Sequence, residues 1–97
     1  MAYSTSNPPK LVVQGLGGNG PNLWTLTGTD ATGTVDTSGY ITNGGNLGMK
    51  AGDIVFYTKT DASPIANYMY NVVSVSATAP GAVDLSDGSA ITATNTD

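Results

Sequence analysis

The chain has 97 residues and a formal net charge of −4, and it contains no His, Cys, Arg or Glu. Charged residues make up 10% of the chain, against about 25% in an average soluble protein. The side chains that enzymes most often use as acid, base, nucleophile or anion clamp are absent, so the composition predicts a non-enzymatic protein without a cofactor. Three scattered lysines do not form a phosphate-binding patch, and we therefore expect no nucleic-acid partner and no membrane partner.

The first nine residues predict an extended N-terminal arm. The segment is polar and ends in Pro8-Pro9, a pair that excludes a helix or a central strand. Tyr3 offers the arm an anchor, and the arm is either a frayed terminus or a strap that contacts a neighbouring subunit. On the second interpretation Tyr3, Asn7, Pro8 and Pro9 are candidate interaction residues. The segment lacks the basic and apolar regions of a signal peptide, and no apolar run in the chain reaches the ~20 residues of a membrane span.

Short strand-like runs separated by turn residues fill the middle of the chain. Turn residues recur about every ten positions, and no stretch has the period of a helix. We predict one all-β domain over 10–93, a β-sandwich or small barrel, followed by a polar tail over 94–97. Asn43-Gly44 is typical of a hairpin turn. The expected strands cover 10–14, 22–27, 34–36, 40–42, 54–58, 67–76, 82–85 and 90–92.

Two kinds of motif look like ligand sites but lack the context of one. The glycines of Gly15-Leu-Gly-Gly-Asn-Gly20 have the spacing of a dinucleotide-binding turn, which must open a helix. The residues that follow, 21–27, have the pattern of a strand, so we predict a glycine-rich loop and no cofactor. The carboxylates of Asp30–Asp36 and Asp84–Asp87 lack the spacing of a calcium loop, and they predict turns rather than a metal site.

The aromatic side chains divide between strands and loops. Trp24, Tyr57 and Tyr68 lie in predicted strands, where core packing is expected. Tyr3 and Tyr40 lie in the arm and in a turn, where exposure is expected, and Tyr40 is therefore a further candidate interaction residue. Flat aromatic rings also bind sugars by stacking, so a glycan platform on Trp24, Tyr40 or Tyr68 remains an alternative.

Several segments of the chain resemble small structural proteins of tailed bacteriophages. They are Ala2–Pro9, Val35–Tyr40, Asn43–Asp53 and Thr60–Pro64. The resemblance covers most of the chain and implies a virion protein, most specifically a head decoration (cement) protein. Such proteins are small and β-rich, bind the outside of the expanded capsid, often as trimers, and brace the shell against DNA pressure. The resemblance assigns a role to no individual residue.

The resemblance also implies partners and a location. The partners are the major capsid protein and further copies of the chain in a homotrimer, and the location is the capsid exterior after synthesis in the host cytoplasm. Net negative charge suits the outside of a shell better than its DNA-filled interior. A surface with few charges and an extended arm suit a lattice in which many weak contacts together give a high overall affinity. Two alternatives remain open: a fibre or tail-tip module that binds host glycan, and a tail or connector component.

Overall fold

The computed structural model describes residues 7–14, 21–62 and 65–91. Most of the predicted arm with Tyr3, the glycine-rich loop and the polar tail lie outside these ranges. The described strands form one mixed sheet, which confirms the predicted all-β class. No helix in the described ranges is long and apolar enough to cross a membrane. The elements in chain order are β1 (Lys10–Val13), β2 (Leu23–Gly28), α1 (Thr32–Val35), α2 (Gly44–Leu47), β3 (Ile54–Lys59), β4 (Ala66–Val75), β5 (Val83–Leu85) and β6 (Ser89–Ile91).

The sheet has the strand order β1-β2-β3-β4-β5, and β6 also pairs with β4. β2 and β3 are parallel, while every other pair of these strands is antiparallel. β6 pairs with the first half of β4 at 67–69, and β5 pairs with the second half at 72–75. β5 and β6 therefore form one interrupted strand along the side of β4 that faces away from β3.

The segment between the two parallel strands, residues 29–53, crosses one face of the sheet. Two adjacent parallel strands need such a crossover because the chain must return to the end of the sheet at which the first strand began. Three expectations fail in this crossover. The strand expected over 34–36 is largely the helical turn α1, and the hairpin expected at Asn43-Gly44 is the start of α2. Of the strand expected over 40–42, a single bridge between Ile41 and Val83 forms.

Close packing explains why the glycines after Asn43 do not make a hairpin. A Cβ atom on Gly44 would lie 2.1 Å from Val83 Cγ2, and one on Gly45 would lie 2.9 Å from Gly81 Cα. The backbone N–H of Gly45 donates to the Gly81 carbonyl at 3.0 Å. These glycines allow the crossover to sit directly on the chain around β5, a contact that local turn statistics do not report.

The core lies between the sheet and the crossover. One face of the sheet supplies alternate side chains of the central strands, and the crossover supplies the side chains that cover them. Trp24 and Tyr57 are buried, as predicted, and Tyr68 packs partly buried against the same cluster. The sheet contributes Trp24, Leu26, Val55, Tyr57, Tyr70, Val72, Val83 and Leu85, and the crossover contributes Val35, Tyr40, Ile41 and Met49.

Candidate interaction surfaces

The face of the sheet opposite the core has no covering layer among the described elements. We call it the open face. Because paired residues in a sheet share a face, the strand register arranges its side chains in rows. The first row is Val13, Leu23, Ile54 and Asn71, the second is Lys10, Thr25, Phe56, Met69 and Ser89, and the third is Thr27, Thr58, Asn67 and Ile91.

The open face is apolar at its centre and carries few charges. Leu23, Ile54, Phe56 and Met69 form the apolar centre, and Val13, Val73 and Ile91 toward the margins are each about half exposed. Lys10 is the charge in the three rows, and Asp84 on β5 adds a carboxylate, because Val83 and Leu85 on either side of it face the core. Uncharged side chains cost little free energy to desolvate, and contiguous exposed apolar groups mark contact surfaces. The open face is therefore suited to contact with another protein.

The third row of the open face is polar except for Ile91 at the edge, and it is joined to the end of the arm. The Thr58 hydroxyl donates to Asn67 Oδ1 at 2.6 Å. Asn7 Nδ2 donates to the Thr27 carbonyl at 2.8 Å and to its hydroxyl at 3.2 Å. Pro9 is buried and Pro8 is half-buried. The described part of the arm thus packs on its own sheet, and contact of Asn7, Pro8 and Pro9 with a neighbouring subunit stays a prediction.

Tyr40 does not lie at the surface, and that expectation is wrong. Its side chain is 3% exposed because the bridge between Ile41 and Val83 draws this segment into the core. The Tyr40 hydroxyl donates a short hydrogen bond to the Asp30 carboxylate. Since Trp24 is also 3% exposed, neither ring offers a stacking platform for sugar. Of the three aromatics considered for a glycan site, Tyr68 alone keeps part of its surface accessible.

Two further tyrosine hydroxyls hold the start of the crossover beside Tyr40. Tyr57 donates to the Asp30 carbonyl at 2.8 Å, and Tyr70 donates to the Thr32 carbonyl at 3.3 Å. Burial raises the pKa of Tyr57 to about 12 and also raises the pKa values of Tyr40 and Tyr70. The three hydroxyls are protonated at neutral pH, so they act as structural donors rather than as nucleophiles.

Asp53 is a buried carboxylate that the sequence pattern did not single out. It accepts hydrogen bonds from the Asn22 backbone N–H at 3.0 Å, from Trp24 Nε1 at 3.0 Å and from the Lys50 backbone N–H at 3.2 Å. Lys50 Nζ lies 3.3 Å from the same carboxylate. Burial alone would raise the pKa of Asp53, but these donors outweigh it and lower the pKa. Asp53 joins the beginnings of β2 and β3, and its position just before a strong strand was the only signal in the sequence.

A shallow hollow of about 210 Å³ lies at the margin of the open face, beside the gap between β5 and β6. Its lining includes the apolar side chains of Ile54 and Met69 and the polar residues Asn71 and Asp87. Small-molecule sites usually have volumes of about 300–1,000 Å³, so this hollow has the size for a side chain of a partner. No three of the described Asp residues gather into a metal-binding group.

Comparison with known proteins finds no matching family model, no matching curated protein and no matching solved structure. The open face, the sheet edges and the arm must therefore be interpreted from their own residues.

Proposed function

We propose that the protein is a structural component of a phage virion, a decoration protein that binds the outer surface of the head and stabilises the shell. The observation that carries the proposal is the open face, a surface with an apolar centre and few charges on one side of a small sheet. The resemblance of several chain segments to phage structural proteins supports the same conclusion.

The carboxylates divide between the two sides of the sheet. Asp30 and Asp36 belong to the crossover, on the far side of the sheet from the open face, while Asp84 on β5 lies on the open side and Asp87 at its margin. Docking through the open face would leave Asp30 and Asp36 toward solvent, and it would bring Lys10 and Asp84 to the contact or its margin. The expected partner is the major capsid protein. The subunits associate as a homotrimer, so that several weak contacts together give a high overall affinity for the shell.

The proposal is tested by binding of the purified chain to expanded heads that lack it, measured by cosedimentation. Val73→Asp places a charge on the open face at a half-exposed position, and Ser38→Asp places the same charge on the exposed crossover as a control. We expect Val73→Asp to weaken binding by about tenfold or more and Ser38→Asp to leave it unchanged. Circular dichroism confirms that both variants fold. Equal binding by the two folded variants, or no binding by the unaltered chain, would contradict the proposal.

Copy number separates the decoration protein from the two alternatives. Quantitative mass spectrometry of purified virions gives the number of copies per copy of the major capsid protein. A near-stoichiometric ratio supports a position on the shell. A ratio of a few per cent or less would favour a fibre, tail-tip or connector position, and absence from the particle would overturn all three.

A further inference from the structure

The described part of the chain leaves the two outer strands of the sheet without a neighbouring strand on their outer sides. β1 lies at one edge and β6 at the other, and no described residue pairs with the outer side of either strand. All side chains of both strands are exposed. β5 differs, because the Val83 N–H donates to the Ile41 carbonyl at 2.9 Å and the Val83 carbonyl accepts from Gly39 at 3.0 Å. The crossover thus covers the edge at β5, whereas no described residue pairs with the outer backbone groups of β6, which can hydrogen-bond to another strand.

The strand directions suit a head-to-tail contact between two copies. β1 is antiparallel to β2, whereas β6 runs in the same direction as β2 and β3. If a second copy is placed beside the first in the same orientation, β1 of one meets β6 of the other as an antiparallel pair. Lys10 and Ser89 belong to the same row across the sheet, so the row continues from one copy into the next without a shift.

Charges at the two edges are complementary. Lys50 and Lys59 form ion pairs within the chain, but Lys10 on β1 forms none among the described residues. Asp87, just before β6, likewise has no ion pair or side-chain hydrogen bond there. Four strand spacings, about 19 Å, separate the two edges of one sheet, so Lys10 and Asp87 do not meet within a subunit.

We propose that β1 of one copy pairs with β6 of a second copy in an antiparallel, head-to-tail contact in which Lys10 lies opposite Ser89 and diagonally across from Asp87, within reach of its long side chain. Antiparallel pairing of β1 with β1, or of β6 with β6, would instead leave Lys10 and Asp87 without an opposite charge across the contact. A head-to-tail contact uses two different surfaces, and repeated copies close into a ring or continue as a filament. The inference deepens the self-association in the proposed function and rests on that part of it alone.

The affinity of a single contact is expected to be weak. Strands of four and three residues bury less than the roughly 1,200 Å² of a stable protein interface. Opposite charges at the strand ends give the contact its orientation and make it sensitive to salt. Self-association should therefore appear at high protein concentration and diminish when the ionic strength is raised.

Charge reversal tests the contact in solution with the full chain. Analytical ultracentrifugation is carried out on the unaltered chain, on Lys10→Asp, on Asp87→Lys and on a mixture of the two variants. We expect each single variant to weaken self-association by about tenfold or more. The mixture should associate again, because each reversed edge then meets a reversed partner. Asp36→Lys, the same charge change on the crossover, is the control and should associate like the unaltered chain.

Hydrogen exchange distinguishes strand pairing from stacking of open faces. Strand pairing should slow exchange of backbone N–H groups in β1 and β6 as the protein concentration rises. A chain that stays monomeric at high concentration, a mixture that fails to recover association, or association without slower exchange in both strands would each overturn the contact. Head binding by a monomeric Lys10→Asp would leave the proposed function standing, while self-association without head binding would overturn that function alone.

Discussion

The same strands form both faces of the sheet, yet the side chains on the two faces have different surroundings. On the core face, aromatic rings are buried and their polar atoms have partners: Trp24 donates to Asp53, and Tyr57 and Tyr70 donate to backbone carbonyls of the crossover. On the open face, apolar side chains and threonines remain partly in water. In β4 the contrast falls on neighbours, since Val72 is 1% exposed and Val73 is 51% exposed.

The comparison teaches that a period of two residues gives the same strands two different surfaces: the core-facing side chains are apolar or aromatic, while the open face mixes apolar side chains with threonine and asparagine. Only the surface covered by the crossover becomes a core, and its polar atoms must then be paired because water is excluded. The other surface stays available for contact with a partner. Substitutions on the two faces should therefore have very different effects on the free energy of unfolding.

The largest effect is expected at Asp53. Asp53→Ala leaves the Trp24 indole N–H and the backbone N–H of Asn22 without their buried acceptor. We expect a loss of about 2–4 kcal/mol in the free energy of unfolding, measured by urea denaturation. Asp53→Asn keeps an acceptor oxygen, so its free energy of unfolding should fall by less. A loss below about 0.5 kcal/mol for Asp53→Ala would show that the carboxylate does not hold the two strands together.

An intermediate effect is expected from the pair Val72→Thr and Val73→Thr. Threonine has nearly the shape of valine, so each substitution mainly adds a hydroxyl group. At Val72 the hydroxyl enters the core, and we expect a loss of about 1–3 kcal/mol. At Val73 it enters water, and we expect a change within about 0.5 kcal/mol. Equal losses in urea denaturation would mean that the open face is covered in solution.

The smallest effect is expected from single tyrosine hydroxyls. Tyr57→Phe removes the donor to the Asp30 carbonyl and should lower the free energy of unfolding by about 1 kcal/mol. Tyr68→Phe is the matched control, because the described residues provide its hydroxyl with no hydrogen-bond partner. A loss at Tyr68 as large as that at Tyr57 would contradict a structural role for the bond to Asp30.

The same hydroxyl gives a pH dependence with a definite sign. The pKa of Tyr57 is raised from 10.0 to about 12, so the folded state binds this proton more tightly than the unfolded state does. Its contribution to stability is complete below pH 10 and is lost as the pH rises toward 12. In Tyr57→Phe, the midpoint of urea denaturation should fall less steeply with rising pH across this range than it does in the unaltered chain. An unchanged slope would contradict the raised pKa.

Much of the sheet was predictable from local pattern. Alternating apolar residues placed β2 and β4, and a continuous apolar run placed β3, each within one or two residues of its bounds, because such strand patterns need no distant information to be recognised. The same patterns placed Trp24 and Tyr57 in the core. The crossover was not predictable in this way, because α1 and α2 are single turns whose conformation depends on what they pack against.

The sequence by itself determined an all-β domain with few charges, since composition and a period of two residues are properties of the chain alone. The tertiary structure decided that Tyr40 is buried, that Asp53 has four donor contacts, and that glycines after Asn43 pack against β5. It also decided which face of the sheet stays open and that Lys10 and Asp87 lie at opposite edges. Each of these depends on the parallel pairing of β2 with β3. This pairing joins residues about thirty positions apart, so no short segment of the sequence predicts it.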